Sequence, residues 1–146
     1  MADIENMVTP EFKVTLGGKE YTLSGKVKAL KDIQQALGVD IYDLHPMAEG
    51  KNVFSLRFDQ AAVVLHIGIK ASGETPPSLD EIEQLVLDDG VDEIKLHLAE
   101  YILMSISPKK DREKNLEKLR AILDQFRKVP ETEETDSLGD SSKSSA

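Results

Sequence analysis

The chain of 146 residues has no cysteine and no tryptophan. Without thiols there can be no disulfide framework and no thiolate metal site, and the composition suits a reducing cytoplasm. Aromatic residues make up only 5% of the chain against 40% hydrophobic residues overall, so a core has to be aliphatic, built from Leu, Ile, Val and Ala. Long apolar runs are missing too. The most apolar stretch, Ala61 to Ile69, spans nine residues, where a membrane helix needs about 20. The opening MADIENMVTP has early acids and no apolar run, unlike a secretory signal. Basic residues are scarce: 18 against 27 acids gives a net charge of −9. Nucleic-acid affinity rests on clustered Lys and Arg, so this balance argues against nucleic acid and against an anionic membrane surface.

The acidity is uneven. Residues 129–146 hold Glu131, Glu133, Glu134, Asp136 and Asp140 against Lys143, a net −4, which leaves −5 for the other 128 residues. Such a segment, with little apolar content, cannot repay its ordering entropy and reads as a disordered acidic tail. Residues 1–10 read as a flexible N-terminal arm. Between them, 11–128 is long enough for one domain; a chain of this size buries roughly 68–70% of its unfolded surface.

Within that domain, Phe12, Val14 and Leu16 alternate with polar residues, and Tyr21 and Leu23 alternate again after Gly17-Gly18. Paired glycines between alternating runs predict a hairpin, because a type I′ turn needs positive φ at both central positions. Ser24 offers an N-cap, and Val27, Leu30, Ile33 and Leu37 at helical spacing predict a helix over 25–37 stopped by Gly38. Asp40 caps a short helix through Ile41, Leu44 and Met47, disturbed by Pro46. Residues 53–58, VFSLRF, fit a strand through Phe54, Leu56 and Phe58, or a helical stripe; the helical reading is favoured from Asp59 to Ala71. That helix is apolar on most sides and should sit centrally.

Ser78 and Glu81 spell a capping box at the head of the next helix, with Leu79, Ile82, Leu85 and Val86 as its stripe and Gly90 as its end. The helix from Val91 to Ile106 has two apolar sides. Ser107-Pro108 reads as an N-cap and first helical residue of a last helix reaching Lys128. Its Leu116, Leu119, Leu123 and Phe126 form a narrow seam amid dense charge, suited to packing on the chain's own bundle or to a partner's groove. The fold class is therefore α+β and mostly helical: an N-terminal β-hairpin packed on a bundle of about five helices.

No catalytic, cofactor or metal motif emerges. His45, His66 and His97 lie on separate elements with no short-range ligand pair. The run Asp88-Asp89-Gly-Val-Asp92-Glu93 lacks the spacing of a calcium loop. Asp88 and Asp89 are nonetheless odd, because a helix C-terminus disfavours anions; a solvated turn or a basic partner would each account for them. No phosphate loop or nucleophile elbow is present. Binding potential lies instead in the C-terminal seam (Leu116, Leu119, Leu123, Phe126), the hairpin edge around Phe12 and Val14, and the acidic tail.

The order of these features resembles the tail-assembly chaperones of long-tailed phages and prophages, including the version found in gene transfer agents. The likeness runs through the hairpin and helix VTLGGKEYTLSGKVKALKDIQQALG, the apolar helix and loop LHIGIKASGE, and the capped helix, Asp-Gly break and second helix of SLDEIEQLVLDDGVDEIKLHLAEYILMSI. It covers about residues 12–106; residues 46–58 and the charged helix after Pro108 depart from it. The resemblance implies a non-enzymatic protein of the bacterial host cytoplasm. It would bind the tape-measure protein and keep it soluble while tube subunits assemble. It would self-associate, possess in some cases a frameshifted extension that recruits the tail tube protein, and be absent from the mature virion. A structural tail or connector component and a small acidic adaptor or regulator are the alternatives. On this reading, removal of 129–146 leaves folding intact.

Overall fold

The computed structural model describes residues 10–125. The N-terminal arm up to residue 9, Phe126, the predicted end of the last helix at 128 and the acidic tail lie outside the described residues.

The alternating runs become strands β1 (Glu11–Leu16) and β2 (Lys19–Ser24), an antiparallel pair in which Leu16 faces Lys19 and Phe12 faces Leu23. Gly17 and Gly18 have φ of 60° and 84°, as the turn requires. Val14, Leu16, Tyr21 and Leu23 are buried on one face, while Lys13, Thr15 and Glu20 stay in solvent on the other. Helix α1 (Val27–Leu37) follows and ends on Gly38 in the left-handed conformation, whose N–H bonds the Gln34 carbonyl.

Ser24 does not cap α1 as expected. Its Oγ accepts from the Lys26 N–H at 3.2 Å, closing a local turn, and the helix begins after Lys26 without a side-chain cap. The buried Ser24 carbonyl is also claimed by the Tyr101 hydroxyl at 2.7 Å, which holds Ser24 in the sheet.

The connection to the central helix holds two short 3-10 turns. Asp40 Oδ1 accepts from the Tyr42 N–H to open the first, Ile41–Leu44. The second, Val53–Ser55, makes the start of VFSLRF neither strand nor α-helix; Leu56 and Arg57 follow as extended chain and Phe58 opens the next helix. Asn52 Oδ1 accepts from Phe54 N–H, and Ser55 Oγ accepts from Asn52 N–H. Lys95 from a distant helix then donates to the Phe54 carbonyl at 3.0 Å. Val53 and Leu56 are driven into the core by this arrangement.

Helix α2 (Phe58–Ala71) is the hub, in contact with β2, α1, α3 and α4. Helix α3 (Leu79–Asp89) starts with the predicted box: Ser78 Oγ accepts from Glu81 N–H at 3.2 Å, and Glu81 Oε1 accepts from Ser78 N–H at 3.0 Å. Gly90, at φ 105°, turns the chain into α4 (Val91–Ile106), which buries Ile94, Leu98, Ala99, Tyr101, Ile102 and Leu103. The last helix, α5, is described over 112–125.

The start of α5 differs from expectation. Ser107 and Pro108 are extended (ψ 143° and 145°), and a 3-10 turn, Lys109–Asp111, precedes the helix. Ser107 is buried and turns back on α4: its Oγ donates to the Leu103 carbonyl at 2.6 Å and accepts from Asn115 Nδ2 at 3.0 Å. The hydroxyl that a cap would have aimed forward therefore joins α4 to α5. Arg120 adds an ion pair to Glu100 at 3.1 Å. One hydrophobic cluster joins the hairpin, α1, α2, α3, α4 and α5 through Leu23, Ile33, Leu65, Ile82, Leu98 and Leu119. No described helix is long and apolar enough to cross a membrane.

The two acids at the end of α3 have an intramolecular reason. Asp89 Oδ2 accepts from the Gly17 N–H at 2.8 Å, and Asp88 accepts from Gln84 at 2.8 Å. Asp89 thus docks the tip of the hairpin onto α3, beside Leu85, whose Cδ2 sits where a Cβ on Gly17 would fall, at 2.6 Å. A charge-assisted bond outweighs the few tenths of a kcal/mol that the dipole takes back. Asp89→Ala is expected to cost about 1 kcal/mol in chemical denaturation, with Asp89→Asn, which keeps the acceptor, losing roughly half as much or less. Equal losses for both variants would show that the bond does not hold the hairpin.

Candidate functional site

The seam predicted on the last helix is divided by the fold. Leu119 is 1% exposed and Leu123 6%, both inside the core cluster. Leu116 is half-buried and lines a cleft of about 230 Å³ with Pro10, Glu11, Met104, Arg112 and Glu113. In this conformation Leu119 and Leu123 hold α5 on the bundle, and their side chains face no partner. Phe126 falls outside the described residues. On the hairpin, Val14 is 2% exposed, and Phe12 is half-buried with its ring tilted against His97 at 6.4 Å between centroids.

What the hairpin does offer is backbone. With Phe12, Val14 and Leu16 paired to β2 through the ladder, the N–H and C=O groups of Lys13 and Thr15 point to the opposite edge. Among the described residues none bonds those groups. The outer edge of β2 is closed by contrast: Glu74 Oε1 accepts from Thr22 N–H at 2.9 Å, and Tyr101 donates to the Ser24 carbonyl. Lys13 and Glu11 in the strand are charged gatekeepers of the kind that discourage indiscriminate pairing at an open edge.

Apolar surface is left elsewhere. Val27, Tyr42, Met47, Phe58, Leu79, Leu87 and Ile122 are each at least a third exposed. Tyr42 and Met47 share the connection after α1, and Leu79 and Leu87 stand two turns apart on α3. Val27, Met47, Phe58 and Leu79 stood on apolar patterns in the sequence, and the structure corrects the burial that those patterns implied; Tyr42, Leu87 and Ile122 stood on none. Spacing marks the side of an element that a residue is on, and at the ends of an element that side runs past its neighbours into solvent.

A cleft of about 610 Å³ lies between α1 and the second half of α2. Lys26, Lys28, Asp32, Gln35, His66 and Lys70 line it, over a floor that includes Ile67 and Ala71. Lys28 pairs with Asp32 at 3.2 Å. Lys26 and Lys70 have no carboxylate partner among the described residues. The first turn of α1, at one end of the cleft, carries no acid. In a chain of −9 this is a local cationic surface. Sequence could not assemble it, since Lys28 and Lys70 are far apart along the chain and share no motif.

Titratable groups elsewhere have structural roles. Burial pushes the Tyr101 phenol well above its ordinary range, so it stays a neutral donor to Ser24. The hydrogen bond from Arg57 holds Asp59 below the usual carboxylate range at the exposed start of α2. His45 accepts from Met47 N–H through Nδ1, His66 lies in the cationic cleft, and His97 faces Phe12. No described group of three or more His, Cys, Asp or Glu residues is placed to hold a metal ion. The Arg112 Nε beside Leu116 is buried with no hydrogen-bond partner among the described residues. The chain matches no family model, no curated protein and no solved structure.

Proposed function

We propose that this protein is a tail-assembly chaperone of a long-tailed phage or prophage, which binds the tape-measure protein and keeps it soluble until the tail tube forms around it. The proposal rests on the resemblance in the order of hairpin, apolar helix, capped helix and second amphipathic helix over residues 12–106. The observation that carries it is the set of large apolar side chains left in solvent (Tyr42, Met47, Leu79 and Leu87 foremost) on a body of net charge −9. A holdase needs apolar surface for its client and like charge to keep the complex dispersed. Its client face therefore lies on these side chains rather than on the buried Leu119 and Leu123.

The test is co-expression with the longest open reading frame downstream in the same gene cluster. That long protein is expected to be insoluble alone, and soluble and retained in a pull-down with this chain. A Leu79→Ser, Leu87→Ser double variant, altered at exposed positions, is expected to fold and to lose most of the retention. If the client's solubility does not respond to the wild-type chain, the chaperone reading fails. Recovery of the chain from purified particles would then support a structural tail component.

A further inference from the structure

We infer that the cleft between α1 and α2 is the docking site of the chain's own acidic C-terminal segment, residues 131–140. This assignment is independent of the chaperone reading. It rests first on charge. Lys26 and Lys70 face the cleft without a carboxylate partner among the described residues, and Lys28 shares its charge with Asp32 alone. The segment outside the described residues carries Glu131, Glu133, Glu134, Asp136 and Asp140 with no base among them, so an acidic segment and a concave patch of the other sign belong to one molecule.

The lysines and arginines around the start of α5 are nearer in sequence but offer a poorer match. Lys109, Lys110, Arg112 and Lys114 alternate with Asp111 and Glu113, which leaves a mixed surface rather than a receptacle. In the cleft, Ile67 and Ala71 lie half-buried beside the lysines. They also give Leu138, the only large apolar residue after Val129, a surface to cover.

Reach is no obstacle. The described chain ends at Gln125. Extended backbone spans about 3.3 Å per residue, so Glu131 can lie roughly 20 Å from that point and Asp140 roughly 50 Å. A body of this size has a radius of gyration of about 13 Å. The tether makes the encounter intramolecular, with an effective concentration near the millimolar range. Individually weak contacts then suffice, and the bound state is expected to yield to salt. The consequence is a cationic site occupied by the chain itself until an acidic partner competes for it.

The absence of native cysteine permits a clean measurement on the full chain. A spin label on Ser137→Cys, with isotope-labelled protein, is expected to broaden amide signals around Lys28, His66 and Lys70 in preference to those of α3 and α5. The broadening should be largely relieved at about 0.5 M salt. It should vanish in the same protein carrying Lys26→Glu and Lys70→Glu, whose remaining spectrum reports that the fold is intact. Uniform or absent broadening overturns the assignment, and so does broadening centred on 109–118. Broadening that survives the charge reversal, or that appears equally when labelled tail and observed cleft are on different molecules, overturns it as well.

Discussion

Leu119→Ala is expected to lower the stability of the chain by about 3 kcal/mol, and Leu116→Ala by about 1 kcal/mol or less, although both leucines belong to one helical stripe. Leu119 is 1% exposed and joins the same apolar cluster as Leu98 and Ile102 of α4, whereas Leu116 is half-buried at the rim of a small cleft. Truncating Leu119 removes the transfer free energy of the lost methyl groups and leaves a void that a close-packed interior closes only in part. In a domain of this length the loss corresponds to a fall in melting temperature of roughly 10 °C. The comparison decides what the seam is for. A stripe kept for a partner would give small and similar losses at both positions, with the deficit appearing in binding. Similar melting temperatures for the two variants would therefore refute the placement of α5 on the bundle.

Gly68→Val is expected to be about as damaging, at about 3 kcal/mol, while Gly68→Ala stays within about 1 kcal/mol of wild type. Gly68 lies in α2 where the hairpin crosses it. A Cβ there would stand 3.0 Å from Leu23 Cδ2, 3.2 Å from the Tyr101 hydroxyl and 3.3 Å from Leu23 Cβ. Alanine gains up to about 1 kcal/mol in helix propensity, which offsets the few tenths of an ångström by which Leu23 must shift. Valine adds two further carbons against a strand residue and a buried hydroxyl, and it also threatens the 2.7 Å bond from Tyr101 to Ser24. Losing that bond would leave a buried donor and a buried acceptor unsatisfied together. Denaturant melts of the two variants check the prediction. A valine variant as stable as the alanine one would mean that the hairpin is not seated on α2 at this residue.

Some of the fold was legible residue by residue. The Gly17-Gly18 turn, the Gly38 stop and the Ser78–Glu81 box were read correctly because each is a contract between neighbours a few residues apart, in φ or in one hydrogen bond. The same logic misplaced Ser24 and Ser107. Each has the residue type of an N-cap, but each is buried and its hydroxyl is taken elsewhere: that of Ser24 by the Lys26 N–H, with its carbonyl held by the distant Tyr101, and that of Ser107 by the Leu103 carbonyl behind it and by Asn115. The 53–58 segment was ambiguous for a related reason. Its alternating apolar residues fit two periods, and the deciding bond comes from Lys95, about forty positions away.

By itself, then, the sequence determined where the chain turns, where its helices stop, which class of core it can build and which chemistries its composition leaves out. Those depend on backbone conformation and on hydrogen bonds that close within one turn. Only the tertiary structure decided which apolar stripe is core and which stays in solvent, that Asp89 holds the hairpin tip, that one edge of β1 has no partner among the described residues, and that Lys26, Lys28, His66 and Lys70 share one cleft. A periodic pattern specifies a face of a helix but carries no information about what lies opposite it; that is set by packing among elements far apart in the chain.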